Sequence, residues 1–92
     1  MIKSTFPEAE FLVGRQVQSG YPGFEVSETI MTVRETNVYG EDNLRIQIDF
    51  ESGFFTNMSP EDFELFIKNG VIVFERWFRT KHNKSVEIIE LI

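Results

Sequence analysis

Cysteine is absent from this chain and histidine occurs once. The first absence excludes a disulfide framework and every thiolate metal site, and the two together exclude ordinary structural zinc. A disulfide-free chain this small is expected in a reducing compartment, and the cytoplasm is the expected location. No apolar run approaches the ~20 residues of a membrane-spanning helix, so no membrane association is expected. The start, MIKSTFPEAE, lacks the apolar stretch of a signal peptide. Glycine is thin and scattered, as turn and cap glycines are: Gly14, Gly20, Gly23, Gly40, Gly53 and Gly70 form no phosphate-cradling cluster. The sequence Gly-X-Ser-X-Gly does not occur, and His82, between Lys81 and Asn83, reads as an exposed loop residue rather than a catalytic base. With no nucleophile–base pair and no cofactor motif, neither catalysis nor a cofactor is expected.

What the chain has is phenylalanine and carboxylate. Ten Phe, one Trp and two Tyr among 92 residues supply large apolar side chains, each removing about 150–250 Å² from water when buried. That suits one compact domain over residues 1–92, since a chain of this length has little surface to spare for a core. The formal net charge is −6, and it is unevenly placed. Glu25, Glu28, Glu35, Glu41, Asp42, Asp49, Glu51, Glu61, Asp62 and Glu64 stand against only Arg34 and Arg45 in the middle of the chain. Arg76, Arg79, Lys81 and Lys84, with His82, form a basic stretch near its end.

The clearest element is a helix over Ser59–Asn69. Ser59 is a natural N-cap, Pro60 suits the first helical position, and Asp62 stands at the capping-box position. Glu61, Asp62 and Glu64 complement the positive helix end, and Gly70 reads as a left-handed stop. Phe63, Phe66 and Ile67 share one face at i, i+3, i+4 spacing, which predicts packing on a sheet. Leu44–Phe50 alternates apolar and polar and predicts a half-buried strand with Asp49 on its solvent face. Glu28–Val38 is rich in β-branched residues, and with the turn residues Gly40–Asn43 it predicts a hairpin to Leu44–Phe50. Tyr21-Pro22-Gly23-Phe24 has the residues of a type II turn, joining an earlier element to this hairpin. That element reads either as a strand, Phe11–Val17, or as a helix from Pro7 with Ala9, Leu12, Val13 and Val17 on one face. Val71–Thr80 and Val86–Leu91 predict a closing hairpin. A register with paired positions summing to 166 sets Arg76 opposite Glu90 and Arg79 opposite Glu87, which avoids like charges in opposition. The expected fold is α+β: an antiparallel sheet of about five strands, in the order β-β-β-α-β-β, with one short helix on one face.

Two surface features carry functional expectations. The acidic tract offers Glu41, Asp42, Asp49, Glu51, Glu61 and Asp62 to a basic surface on a larger protein, by a steering and register effect that such fields supply. The carboxylate pairs Glu41–Asp42 and Asp49–Glu51 lack calcium-loop spacing, so no metal site is expected. The basic stretch, Arg76, Arg79, Lys81, His82 and Lys84, interleaved with Trp77 and Phe78, is the alternative: a nucleic-acid-binding accessory domain that stacks bases and neutralises phosphates. Net negative charge opposes that alternative, and the expected function is a non-enzymatic protein-binding domain, a small acidic inhibitor or regulator. In size, acidity and aromatic content the chain resembles, as a class only, inhibitors and adaptors encoded by bacteriophages and mobile elements. The final strand, Val86–Ile92, is apolar on both faces. It is expected either to lie centrally in the sheet or to pair with another chain, which would give a homodimer through the C-terminal strand.

Overall fold

The computed structural model describes residues 5, 7–37, 44–78 and 83–92, with 75–78 and 83–85 described by backbone alone. Its elements run as a 3₁₀ helix (Pro7–Leu12), β1 (Gln16–Gly20), β2 (Val26–Asn37), β3 (Leu44–Phe50), β4 (Phe55–Met58), α1 (Pro60–Asn69), β5 (Val71–Phe78) and β6 (Asn83–Leu91). Six antiparallel strands form one sheet in the order β4-β3-β2-β1-β6-β5. The α+β class is therefore as expected, while the strand count rises from about five to six. The additional strand is β4, whose four residues are too few to show a period. It exists because β3 offers it a register, from Ile46 opposite Met58 to Asp49 opposite Phe55.

The helix forms where its caps stand. Ser59 Oγ accepts from the Asp62 N–H at 3.1 Å, and Gly70, at φ +77°, donates its N–H to the Phe66 carbonyl at 2.7 Å. Only a residue without a Cβ takes that left-handed turn at no steric cost. Phe63 and Phe66 are buried as the spacing predicts, but Ile67 is not; at 37% exposure it sits on the flank of the helix, so the buried face is narrower than the expected one. The Tyr21–Phe24 turn also follows its residues: the Phe24 N–H donates to the Tyr21 carbonyl at 2.8 Å, with Gly23 at φ +87°.

The segment that reads either as a strand over Phe11–Val17 or as a helix from Pro7 is helical from Pro7, but as a short 3₁₀ helix to Leu12, and is extended only from Gln16 as β1. Three residues per turn put Ala9 and Leu12 on one face, and both are fully buried. Val13 is exposed, and Val17 is buried as part of β1.

β2 serves two neighbours. Its first residues pair with β1, from Val26 opposite Ser19 to Thr29 opposite Gln16, and the rest pair with β3, from Ile30 opposite Phe50 to Asn37 opposite Leu44. Met31 is skipped in the second ladder, and such a bulge bends a strand and increases its twist. The bend lets the sheet turn over a single core of Leu12, Val17, Ile30, Val33, Ile46, Ile48, Phe50, Met58, Phe63, Phe66, Ile72, Phe74 and Ile89. Helix α1 packs on β5 and on β3, strands with three others between them in the sheet.

The closing hairpin takes a different register from the expected one. Val71 opposes Glu90, Ile72 opposes Ile89, Arg76 opposes Ser85 and Phe78 opposes Asn83, a sum of 161 throughout. In that ladder Glu90 stands opposite Val71 and Glu87 opposite Phe74, so Arg76 does not oppose Glu90, and Arg79 lies outside the described residues. Burial decides it: β6 is fixed from the other side by β1, with Val17 opposite Leu91 and Ser19 opposite Ile89, and β5 begins directly after Gly70. Pairing buried Ile72 with buried Ile89 fixes the register, since a cross-strand charge pair at a surface contributes only about 0.2–1 kcal/mol. β6 lies between β1 and β5, so residues 88–90 are paired on both sides and strand addition through them is closed. The sheet's outermost strands are β4 and β5.

Candidate functional site

The most polar cluster lies on the outer face of β2, β3 and β4. Directly opposed residues share a face, and here those are Thr32 with Asp49, Arg34 with Gln47, and Gln47 with Asn57. Asp49 Oδ2 accepts from Thr32 Oγ1 at 2.7 Å and from Arg34 Nε at 2.9 Å, while Oδ1 accepts from Gln47 Nε2 at 2.8 Å. Beside them Arg45 donates from Nε to Asn57 Oδ1 at 3.0 Å. Asp49 is only 7% exposed, which corrects its expected place on an open solvent face. The alternation was right about direction; the neighbouring polar side chains cover the carboxylate. Burial pushes the Asp49 carboxyl up, but hydrogen bonds from Arg34, Thr32 and Gln47, with the Arg34 charge, outweigh it and hold the group below its ordinary value. A carboxylate held ionised by three donors is a poor base, with most of its accepting capacity already used inside the protein. This cluster ties three strands together.

The remaining acidic candidates divide. Glu51 is exposed in the turn after β3, its N–H donating to the Thr29 carbonyl at 2.9 Å. Glu61 is exposed on the first turn of α1, and half-buried Asp62 is engaged through its backbone in the cap. Glu51 and Glu61 lie beyond opposite ends of β4, a strand about 13 Å long at the usual rise, so the structure does not gather them at one point. Glu41 and Asp42 lie outside the described residues, as do Arg79, Lys81 and His82. Arg76 and Lys84 are placed by backbone alone, opposite Ser85 and Trp77. Among the described residues no three His, Asp or Glu side chains converge as a metal site would require, and no helix is long and apolar enough to cross a membrane.

Sequence reasoning missed the outward stripe of α1. A depression of about 640 Å³ is lined there, among the described residues, by Glu61, Glu64, Leu65, Ile67 and Lys68. Positions 61, 64, 65 and 68 are one helical stripe at i, i+3, i+4, i+7, on the side away from Phe63 and Phe66. The spacing of these positions marks the stripe, but nothing in it shows that Leu65 stays uncovered. Leu65 is 46% exposed, and Glu61 and Glu64 are exposed without an ion pair among the described residues. Elsewhere Phe24 and Phe54, 81% and 72% exposed, mark the β1–β2 and β3–β4 turns.

No protein-family model matches this chain, and no curated protein or solved structure is found to be similar to it.

Proposed function

We propose that this is a non-enzymatic protein-binding domain, a small acidic inhibitor or regulator that occupies a basic site on a larger protein in the cytoplasm. The observation that carries the reading is the net acidic charge of the outer α1 surface, where Glu61 and Glu64 stand exposed beside exposed Leu65 with only Lys68 against them. Solvated acids alone keep a protein soluble; acids bordering an apolar depression also supply the polar rim and apolar centre of an interface. Glu51, exposed at the far end of β4, extends the negative field. Asp49 has no part in contact, being committed to Arg34, Thr32 and Gln47.

The second reading, a nucleic-acid-binding accessory domain, gains from one observation. The register of β5 and β6 sets Ser85, and not Glu90, opposite Arg76. Affinity capture from a bacterial lysate, with and without nuclease, separates the two readings. The first expects nuclease-resistant capture of a protein that is lost when Glu51, Glu61 and Glu64 are replaced together by Lys. Capture that disappears with nuclease and survives those changes refutes it in favour of the second.

A further inference from the structure

Helix α1 has two faces with different uses. Its inner face is spent on the core through Phe63 and Phe66, and its outer stripe carries an apolar group that the fold leaves uncovered. A short amphipathic helix ordinarily places charged or polar residues along that side. Here Leu65 stands between Glu61 and Glu64 on one side and Lys68 on the other, with Ile67 on the flank. The depression they line, about 640 Å³, is of the size that seats one or two side chains with their backbone. Its charge is graded: both carboxylates lie toward the helix start and the single cation toward its end. Among the described residues, none of these three makes an ion pair.

We infer that the α1 depression receives a basic amphipathic segment of the partner protein, an apolar side chain seated on Leu65 and flanking Lys or Arg side chains set against Glu61 and Glu64. This rests on the protein-binding reading and makes it specific. The carboxylates steer and orient, since exposed ion pairs contribute little affinity singly. The apolar contact supplies the holding, because burial of a leucine-sized group is what changes affinity by an order of magnitude or more. The grading fixes direction: basic groups of the segment face the N-terminal half of α1, and its next acidic or neutral residue lies toward Lys68.

The test uses three synthetic helical peptides of about sixteen residues, titrated into isotopically labelled full-length protein and followed by amide chemical shifts. One carries Leu and Lys on an amphipathic pattern, one has Ser in place of each Leu, and one has Glu in place of each Lys. The expected result is that the first shifts the amides of residues 61–68 most strongly. The second should bind at least tenfold more weakly, and the third should not bind. Leu65→Ser, an exposed change whose fold is checked by the same spectrum, should weaken the first peptide about tenfold. Glu61→Gln with Glu64→Gln should weaken it several-fold and flatten its dependence on salt. Binding that maps to other acids, or that Leu65→Ser leaves unchanged, overturns the inference while leaving the acidic-binding reading intact. Failure of both Lys-bearing peptides to bind anywhere overturns both. Sedimentation of the protein alone gives one more result against it: self-association abolished by Leu65→Ser would make a second copy the occupant.

Discussion

Asp49 is the acid whose removal should disturb this protein most, and the disturbance should be structural. Replacement by Asn keeps the shape but turns one carboxylate oxygen into a donor, facing either Arg34 Nε and Thr32 Oγ1 or Gln47 Nε2. Hydrogen bonds to charged groups contribute about 1.5–3 kcal/mol, and a covered donor left unmet costs about 1–3 kcal/mol. We expect Asp49→Asn to lose about 2–3 kcal/mol, against a total of roughly 5–14 kcal/mol for a domain of this length. At about 4–8 °C per kcal/mol, the midpoint of thermal unfolding falls by roughly 10–20 °C. The pH dependence supplies the sharper check. The folded-state pKa of Asp49 lies below its unfolded value. Its contribution is therefore fully present above about pH 4, the unfolded aspartate range, and is lost as pH falls through the lower folded value. Urea unfolding of both proteins at pH 7, 5 and 3 should show a gap that is constant at the first two and narrows at the third. A gap that persists undiminished as the folded protein takes up that proton would refute the assignment. So would a variant of unchanged stability that loses its partner, which would return Asp49 to the binding surface.

Two further substitutions test the helix. Ser59→Ala removes the acceptor of the Asp62 N–H and should cost about 0.5–2 kcal/mol in urea unfolding with an unchanged m-value. Phe66→Ala empties the centre of the interface between α1 and the sheet, where Phe66 is fully buried, and should cost about 3–5 kcal/mol. That loss would leave the domain near its unfolding threshold at 37 °C, as a thermal melt would reveal.

Local chemistry was readable and long-range pairing was not. The helix could be placed to within a residue because Ser59, Pro60 and Gly70 act on their immediate neighbours, and the same holds for Pro22 and Gly23 in their turn. β4 was invisible because what makes Phe55–Met58 a strand is the ladder offered by β3, not any preference of its own. The register of the last hairpin was misjudged for a related reason. Charge was weighed between two strands, whereas a third, β1, holds β6 and sets where Ile89 must sit. Alternation along β3 located Asp49 on the correct side of the sheet but carried no information about Thr32 and Gln47 closing over it. At the candidate site, Glu61 was legible as an acid near a helix start. The depression around Leu65 was legible only as an unremarked stripe, since nothing in spacing says which side chains a fold leaves uncovered.

The chain passes from the sheet's one outermost strand to its other through α1, with only Ser59 before the helix and Gly70 after it. Neither margin has slack: a rigid rod is spliced between them, so β4 and β5 keep their mutual distance as long as the rod holds its shape. Whatever grips the outside of α1 is then gripping the clasp of the whole sheet. A partner seated there would brace both borders at once, without touching either.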